Sequence, residues 1–317
     1  MREKIFLSIL IRIIFIFFVL LFLFQFSSPG SLLIFGGKVE EAVFIVDKDI
    51  SEETIIEELY SQGFIRNPKA FKLILRIQDW EGQIKPGGYL ISKNMSVLEV
   101  AESLVVPPLQ KWVVIQEGLR KEEVAKILQL KLNWLHPQKE AFLQETEEGY
   151  LFPDSYLLSL DWPGDKIAER LEKQFISEVE KISEEDINPD IVTLASLIQR
   201  EAANKTEMSM IAGIILNRYQ KNLPLQIDAT LQYALGKPEK WWPIVWPKDR
   251  KIDSLYNTYL YRGYPPTPIC SPGLEAIKAA IKPQETDYLY YLHELGGKIH
   301  YAKTYREHLI NIEKYLK

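Results

Sequence analysis

Cysteine is almost missing: one residue, Cys270, in 317 excludes an internal disulfide framework and any zinc site built on several thiolates. Histidine is nearly as scarce. His136, His293, His300 and His308 include no HExxH and no pair four residues apart, so the sequence points to chemistry without a metal or cofactor. A strong charge of one sign is lacking too, because 38 Lys and Arg stand against 43 Asp and Glu. That balance of −5, with no basic cluster on a predicted face, argues against a nucleic-acid partner held through its phosphates. No repeat or low-complexity segment occurs. What is plentiful is apolar material, 47% of the chain, and at about 150 residues per domain the length suggests two domains with real cores.

The longest apolar run, Ile5 to Phe26, has 22 residues and is interrupted only by Arg12. At 1.5 Å per residue it is long enough to cross a hydrocarbon layer of about 30 Å. Arg12 lies toward its amino end, where it can snorkel to the headgroups. Arg2, Lys4 and Arg12 all sit on that side, so the positive-inside rule predicts a cytoplasmic amino terminus and an extracytoplasmic remainder. The expected location is the cytoplasmic (inner) membrane, single-pass. A cleaved signal peptide is the alternative, but the run exceeds an ordinary h-region and FQFSSPGS is a poor small-x-small site.

The expected fold class is α+β, in three stretches: 1–38 as cytoplasmic end, anchor and linker, 39–108 as a small domain, and 109–317 as a larger mixed α/β domain. In the small domain a β-branched run at Ala42–Val46 precedes helical spacing at Ser51–Gln62 and Pro68–Gln78. A strand at Gly88–Ile91 and a capping box at Ser96 and Glu99 follow. This β-α-α-β-α order resembles the LysM fold that holds glycan chains; a spacer is the plainer alternative. Pro107-Pro108 marks the boundary. Beyond it, helices are predicted at Lys121–Gln129, Lys139–Gln144, Asp165–Ile182, Pro189–Ala203, Glu207–Tyr219 and Gly273–Ala280. A hairpin of Tyr288–Leu292 with Ile299–Ala302 and a closing helix from Tyr305 complete it.

The helix INPDIVTLASLIQREAA carries the first candidate for chemistry. Asn188 is its predicted N-cap and Pro189 its first residue, and Ile191, Leu194, Ala195, Ile198 and Ala202 form an apolar stripe. Glu201 falls on the edge of that stripe. Desolvation there should raise its pKa and let it hold a proton as a general acid. The structural alternative is a salt bridge to Arg218. Gln199 and Arg200 fall outside the stripe and read as surface residues. In NLPLQIDATLQYALG, Gln226, Asp228 and Thr230 alternate and could lie along a sugar chain, although Asp228 also suits the N-cap of a helix from Ala229. The Pro-rich loop SLYNTYLYRGYPPTPICSPG presents Tyr256, Asn257, Thr258, Tyr259 and Tyr261, a composition that suits a carbohydrate groove. Packing of the tyrosines onto the core is the alternative.

Read together, EGLRKEEVAKIL, EGYLFPDSY, LASLIQREA, NRYQKNLPLQIDATLQYALG, YNTYLYRGYPPTPICSPG and KTYREH resemble the membrane-anchored endolytic murein transglycosylases, the MltG or YceG-like family. The resemblance runs over nearly the whole chain. It implies a YceG-like catalytic domain at 109–317 and a lytic cut of the β-1,4 bond between N-acetylmuramic acid and N-acetylglucosamine, giving 1,6-anhydro ends and terminating strands near the membrane. Glu201 matches the second glutamate of the family's E-K-E-like motif, its catalytic acid, and Gln199 stands where the first usually is. Gln226, Asp228, Thr230, Tyr256, Asn257 and Thr258 would hold substrate. Ala229 replaces a frequent proline, Tyr264 a leucine, and His300 or Ile299 stands near the family's hairpin histidine. Implied partners are peptidoglycan strands, the membrane, and the synthases and elongation or division complexes within it. The alternatives are a non-catalytic glycan-binding scaffold and a hydrolytic muramidase.

Overall fold

A computed structural model describes residues 11–17, 19, 24, 26, 27, 29, 41–184 and 187–317. The expected span from Ile5 to Phe26 lies largely outside the described residues; among those described, no helix is long and apolar enough to cross a membrane. The chain divides into a small unit, residues 1–112 with 157–160, and a large one, 113–156 with 161–317.

In the small unit, strand β1 (Glu41–Val46) alternates so that Phe44 and Val46 are buried while their neighbours face out. It pairs antiparallel with β2 (Gly87–Ser92) over six residue pairs, from Glu41 with Ser92 to Val46 with Gly87. Between them run α1 (Glu52–Ser61), capped by Ser51, and α2 (Pro68–Ile77), capped by Asn67 with Pro68 at its first turn. The predicted capping box of Ser96 and Glu99 is present at the start of α3 (Val97–Val105). Two strands absent from the sequence reading, β3 (Gln110–Val114) and β4 (Ser155–Ser159), extend the sheet in the order β1-β2-β3-β4 through their ends in this unit. Gly88 faces Gln110 in the β2–β3 register.

The large unit is mostly helical: α4 (Lys121–Leu132), α5 (His136–Glu145), α6 (Gly164–Glu180), α7 (Pro189–Glu201), α8 (Met208–Gln220), α9 (Asp228–Leu235), α10 (Leu274–Ile281) and α11 (Tyr305–Tyr315). A two-stranded hairpin, β5 (Tyr290–His293) and β6 (Ile299–Ala302), precedes α11. The α7 helix is the axis of this core. Its predicted cap holds, the Asn188 side chain accepting from Asp190 N at 2.9 Å. The single apolar stripe does not hold: every residue from Val192 to Ile198 is buried, because α8, α9 and α10 all pack on this helix. Thr193 and Ser196 tolerate that burial by donating to the carbonyls of Pro189 and Thr193. Close approach sets Gly213 on α8, where a Cβ would stand 2.1 Å from the Gln284 carbonyl oxygen.

Candidate active site

Glu201 is the last residue of α7, and Ala202 then turns the chain extended. Its carboxyl lies in the wall of a cavity of about 640 Å³, built by the end of α7, α8, the 223–227 segment, Arg250, Tyr259, the β5 strand and α11. The Tyr291 hydroxyl donates to Glu201 Oε2 at 2.5 Å. Burial pushes the Glu201 pKa up, and the neighbouring Asp228 charge pushes the same way. The Tyr291 bond and the charges of His293 and Arg200 oppose the shift without reversing it. Its place at the negative end of α7 also disfavours the carboxylate. Glu201 is therefore a carboxyl group held toward its neutral, proton-carrying form beside an open volume.

No salt bridge involves Glu201 among the described residues, so the pairing with Arg218 is not made. Arg218 instead donates to the Pro224 and Leu289 carbonyls and, at 2.8 Å, to Gln226 Oε1. It spans the cavity wall and fixes the Gln226 side chain, whose backbone sits at φ 58° in the left-handed region. Asp228 is not an N-cap. That position belongs to Ile227, and Asp228 opens α9 as its first residue. Its carboxylate accepts from the Tyr259 hydroxyl at 2.6 Å and lies 3.9 Å from the Arg250 guanidinium. Asp228 and Glu201 are thus two carboxyl groups within electrostatic reach, one bound by cation and phenol, the other with its pKa raised by burial and by the Asp228 charge.

The remaining expected binding residues serve differently. Thr230, Asn257 and Thr258 are at most 1% exposed and cannot touch a ligand. Thr230 and Thr258 share a hydrogen bond between hydroxyls at 3.0 Å, and Thr258 also accepts from Ile227 N. Asn257 closes its own loop through the Arg250 and Ile252 carbonyls and Tyr259 N. These three hold the Tyr259 loop against the 226–230 segment. Tyr256 packs on Tyr233, with its hydroxyl bonded to Thr267. Only Gln226 of the six lines the cavity itself. His300 stacks on Tyr315 and bonds Glu294; His293, on the other strand of the hairpin, bonds Glu207 at 2.9 Å.

Gln199 and Arg200 are not free surface residues. Gln199 accepts from Gly273 N at 2.9 Å and donates to Glu117, and the Arg200 guanidinium stacks 3.7 Å above the Trp242 ring. Tyr291 is the site residue that the sequence does not single out; the sequence presents Tyr259 only as part of a groove loop and Arg218 only as an ion-pair partner for Glu201. Tyr291 and Glu201 are 90 positions apart, so no local pattern joins them. Cys270 is buried against the Ser196 carbonyl, and burial raises its thiol pKa. No group of three or more His, Cys, Asp or Glu that could hold a metal occurs among the described residues.

The YceG-like family profile matches residues 44–314. The chain belongs to the YceG-like family. An endolytic murein transglycosylase of Bacillus subtilis is 29% identical over 300 residues, covering 84% of this chain and 82% of that one. A Streptococcus pneumoniae protein of the same name is 29% identical over 188 residues, 57% of this chain, which spans only about a third (34%) of that longer relative. A crystal structure of a yceG-like protein from Listeria monocytogenes superposes with a TM-score of 0.55 at 26% identity, covering 86% of this chain and 99% of that one. This YceG-like chain therefore shares its fold with the Listeria protein and most of its length with the Bacillus subtilis relative.

Proposed function

We propose that this YceG-like protein is a lytic transglycosylase that cuts peptidoglycan glycan strands internally, with Glu201 as the single acid and base. The observation that carries this is the Glu201 carboxyl, held toward its protonated form in the cavity wall by burial and by Asp228. The names of the relatives supply the substrate class. In the first step Glu201 gives its proton to the glycosidic oxygen as the bond from C1 of N-acetylmuramic acid to that oxygen breaks. The acetamido oxygen of the same sugar shields the cationic C1. The Glu201 carboxylate then takes the proton of the C6 hydroxyl, whose oxygen bonds C1 and closes a 1,6-anhydro ring. No water is consumed, and Glu201 ends as it began. The Tyr291 hydroxyl stabilises the carboxylate between the steps, which limits how far the pKa can rise.

The apolar run before Phe26 supports single-pass anchoring, which would keep the cavity near nascent strands and make the enzyme a terminator of elongation beside synthases and division or elongation complexes. The βααβ order of the small unit supports a LysM-like glycan-holding role. Asp228 favours one second reading: a second carboxyl group within electrostatic reach of Glu201, though not lining the cavity, suits a hydrolytic muramidase. Incubating the full chain and a Glu201→Gln protein with purified murein tests the proposal. Cleavage lost while glycan binding persists is the expected result; equal cleavage by both proteins would overturn the role of Glu201, and binding without cleavage by either would leave a scaffold.

A further inference from the structure

The loop between α9 and the Asn257 turn reads KPEKWWPIVWPKDRK, and of its three tryptophans two are anchored and one is displayed. Trp242 is pinned from two sides, by the Arg200 guanidinium at 3.7 Å and by its own indole N–H donating to Glu123 at 3.0 Å. Trp241 lies under Arg120. With these two anchored and with Pro243 and Pro247 limiting the backbone, Ile244 and Trp246 are displayed outward, 67% and 58% exposed. Trp246 N is tied to Asp249 at 2.7 Å, which fixes the start of the short 3-10 turn Pro247–Lys251. The displayed pair is therefore rigid as well as exposed.

The charge around it is the reverse of the charge on the chain. The segment from Lys237 to Lys251 carries five cationic and two acidic side chains in a protein whose balance is −5. Of the two acids, Asp249 is occupied with the Trp246 amide. Lys237, Lys240, Lys248 and Lys251 are exposed and form no ion pair among the described residues. An aliphatic and an indole tip on a segment that also carries four exposed, unpaired lysines matches the chemistry of the interface of an anionic bilayer, where tryptophan sits at headgroup level and lysine meets lipid phosphate. Sugar rings stack on flat aromatic faces and have no use for the branched tip of Ile244. We propose that this loop docks onto an anionic lipid surface. Two displayed apolar side chains bind weakly alone, so the loop acts as a second attachment, an inference that rests on the single-pass anchoring proposed above. Arg250, at the end of the same loop, lines the Glu201 cavity, and docking would set the height of that opening above the headgroups.

The inference is independent of the glycan chemistry, and its test is separate. The full chain, with Ile244→Cys and with the buried Cys270 changed to Ser, is labelled at position 244 with an environment-sensitive dye and placed in nanodiscs containing brominated lipid. In discs rich in phosphatidylglycerol the dye should blue-shift and be quenched, and in pure phosphatidylcholine the quenching should be about tenfold weaker. Lys248→Glu with Lys251→Glu should reduce the quenching to the same degree, with murein cleavage measured in parallel on every protein. No quenching in anionic discs from a protein that still cleaves murein would overturn the docking alone. A dye response to soluble glycan instead of lipid would overturn it in favour of a sugar subsite.

Discussion

At the scale of single residues, the protonation of Glu201 governs the account, and two neighbours set it in opposite directions. The acid must carry a proton to begin, so cleavage should fall as pH rises through the raised Glu201 pKa. Tyr291→Phe removes a hydrogen bond that favours the carboxylate. Its alkaline limb should move to higher pH, with the maximal rate reduced. Asp228→Asn removes a charge that opposes ionisation, and its limb should move to lower pH. A pH–rate profile on the three proteins checks both signs, and shifts in the same direction would contradict the assignment. Glu201→Gln should lower cleavage at least about 100-fold, the size expected for losing a general acid, with the far-UV spectrum unchanged. Chain position alone marked Glu201 as poorly placed for solvent. It could not mark Tyr291, because the bond depends on where a hairpin 90 positions away lands.

At the scale of elements, a second buried carboxyl acts on stability. Glu148 accepts from Lys121 N at the first turn of α4 at 3.1 Å and from the Tyr233 hydroxyl, yet burial and the nearby Glu122 charge raise its pKa to about 7. The folded protein keeps a proton that the unfolded chain releases from about pH 4.5 upward. Stability should therefore fall as pH rises from 4.5 to about 7 and level off above it. That span corresponds to about 3 kcal/mol, and thermal melts of Glu148→Gln should lose most of this slope. Packing between elements is as specific. Gly213→Ala on α8 would drive a Cβ to 2.1 Å from the Gln284 carbonyl. It should lower stability by about 3 kcal/mol in denaturant melts, whereas the exposed Lys221→Ala should change it by less than about 0.5 kcal/mol. Helices with caps and punctuation were legible in the sequence: the predicted caps at Asn188 and Ser96 both form. Strands β3 and β4 were not. Each is five residues long and takes its identity from its sheet neighbours, which are distant in sequence.

At the scale of the whole molecule, motif order made the family readable before any geometry, because six separate segments in sequence agree on one relative. The individual binding residues were less readable. Thr230, Asn257 and Thr258 look like ligand groups because they are polar and lie in turns, but they are buried where two segments meet, the two threonines bonding each other and Asn257 the backbone of its own loop. Sequence alternation shows which residues share a side of a strand, and it does not show whether that side faces a cavity or another loop. Asn257→Ala should consequently act on folding, at about 2 to 3 kcal/mol for the acceptors it leaves buried and unpaired, before it acts on substrate affinity. The pairing of Asp228 with Tyr259 has the same origin, since the loop that Asn257 closes carries the phenol to the carboxylate.

The measurement that bears most directly on the central claim is the mass of the products released from purified murein glycan by the full chain. Internal fragments ending in 1,6-anhydro-N-acetylmuramic acid, one water lighter than their hydrolysed counterparts and absent with Glu201→Gln, are the predicted result. Fragments that carry the added water would contradict the one-carboxyl lytic mechanism and assign Asp228 the second role in a hydrolase.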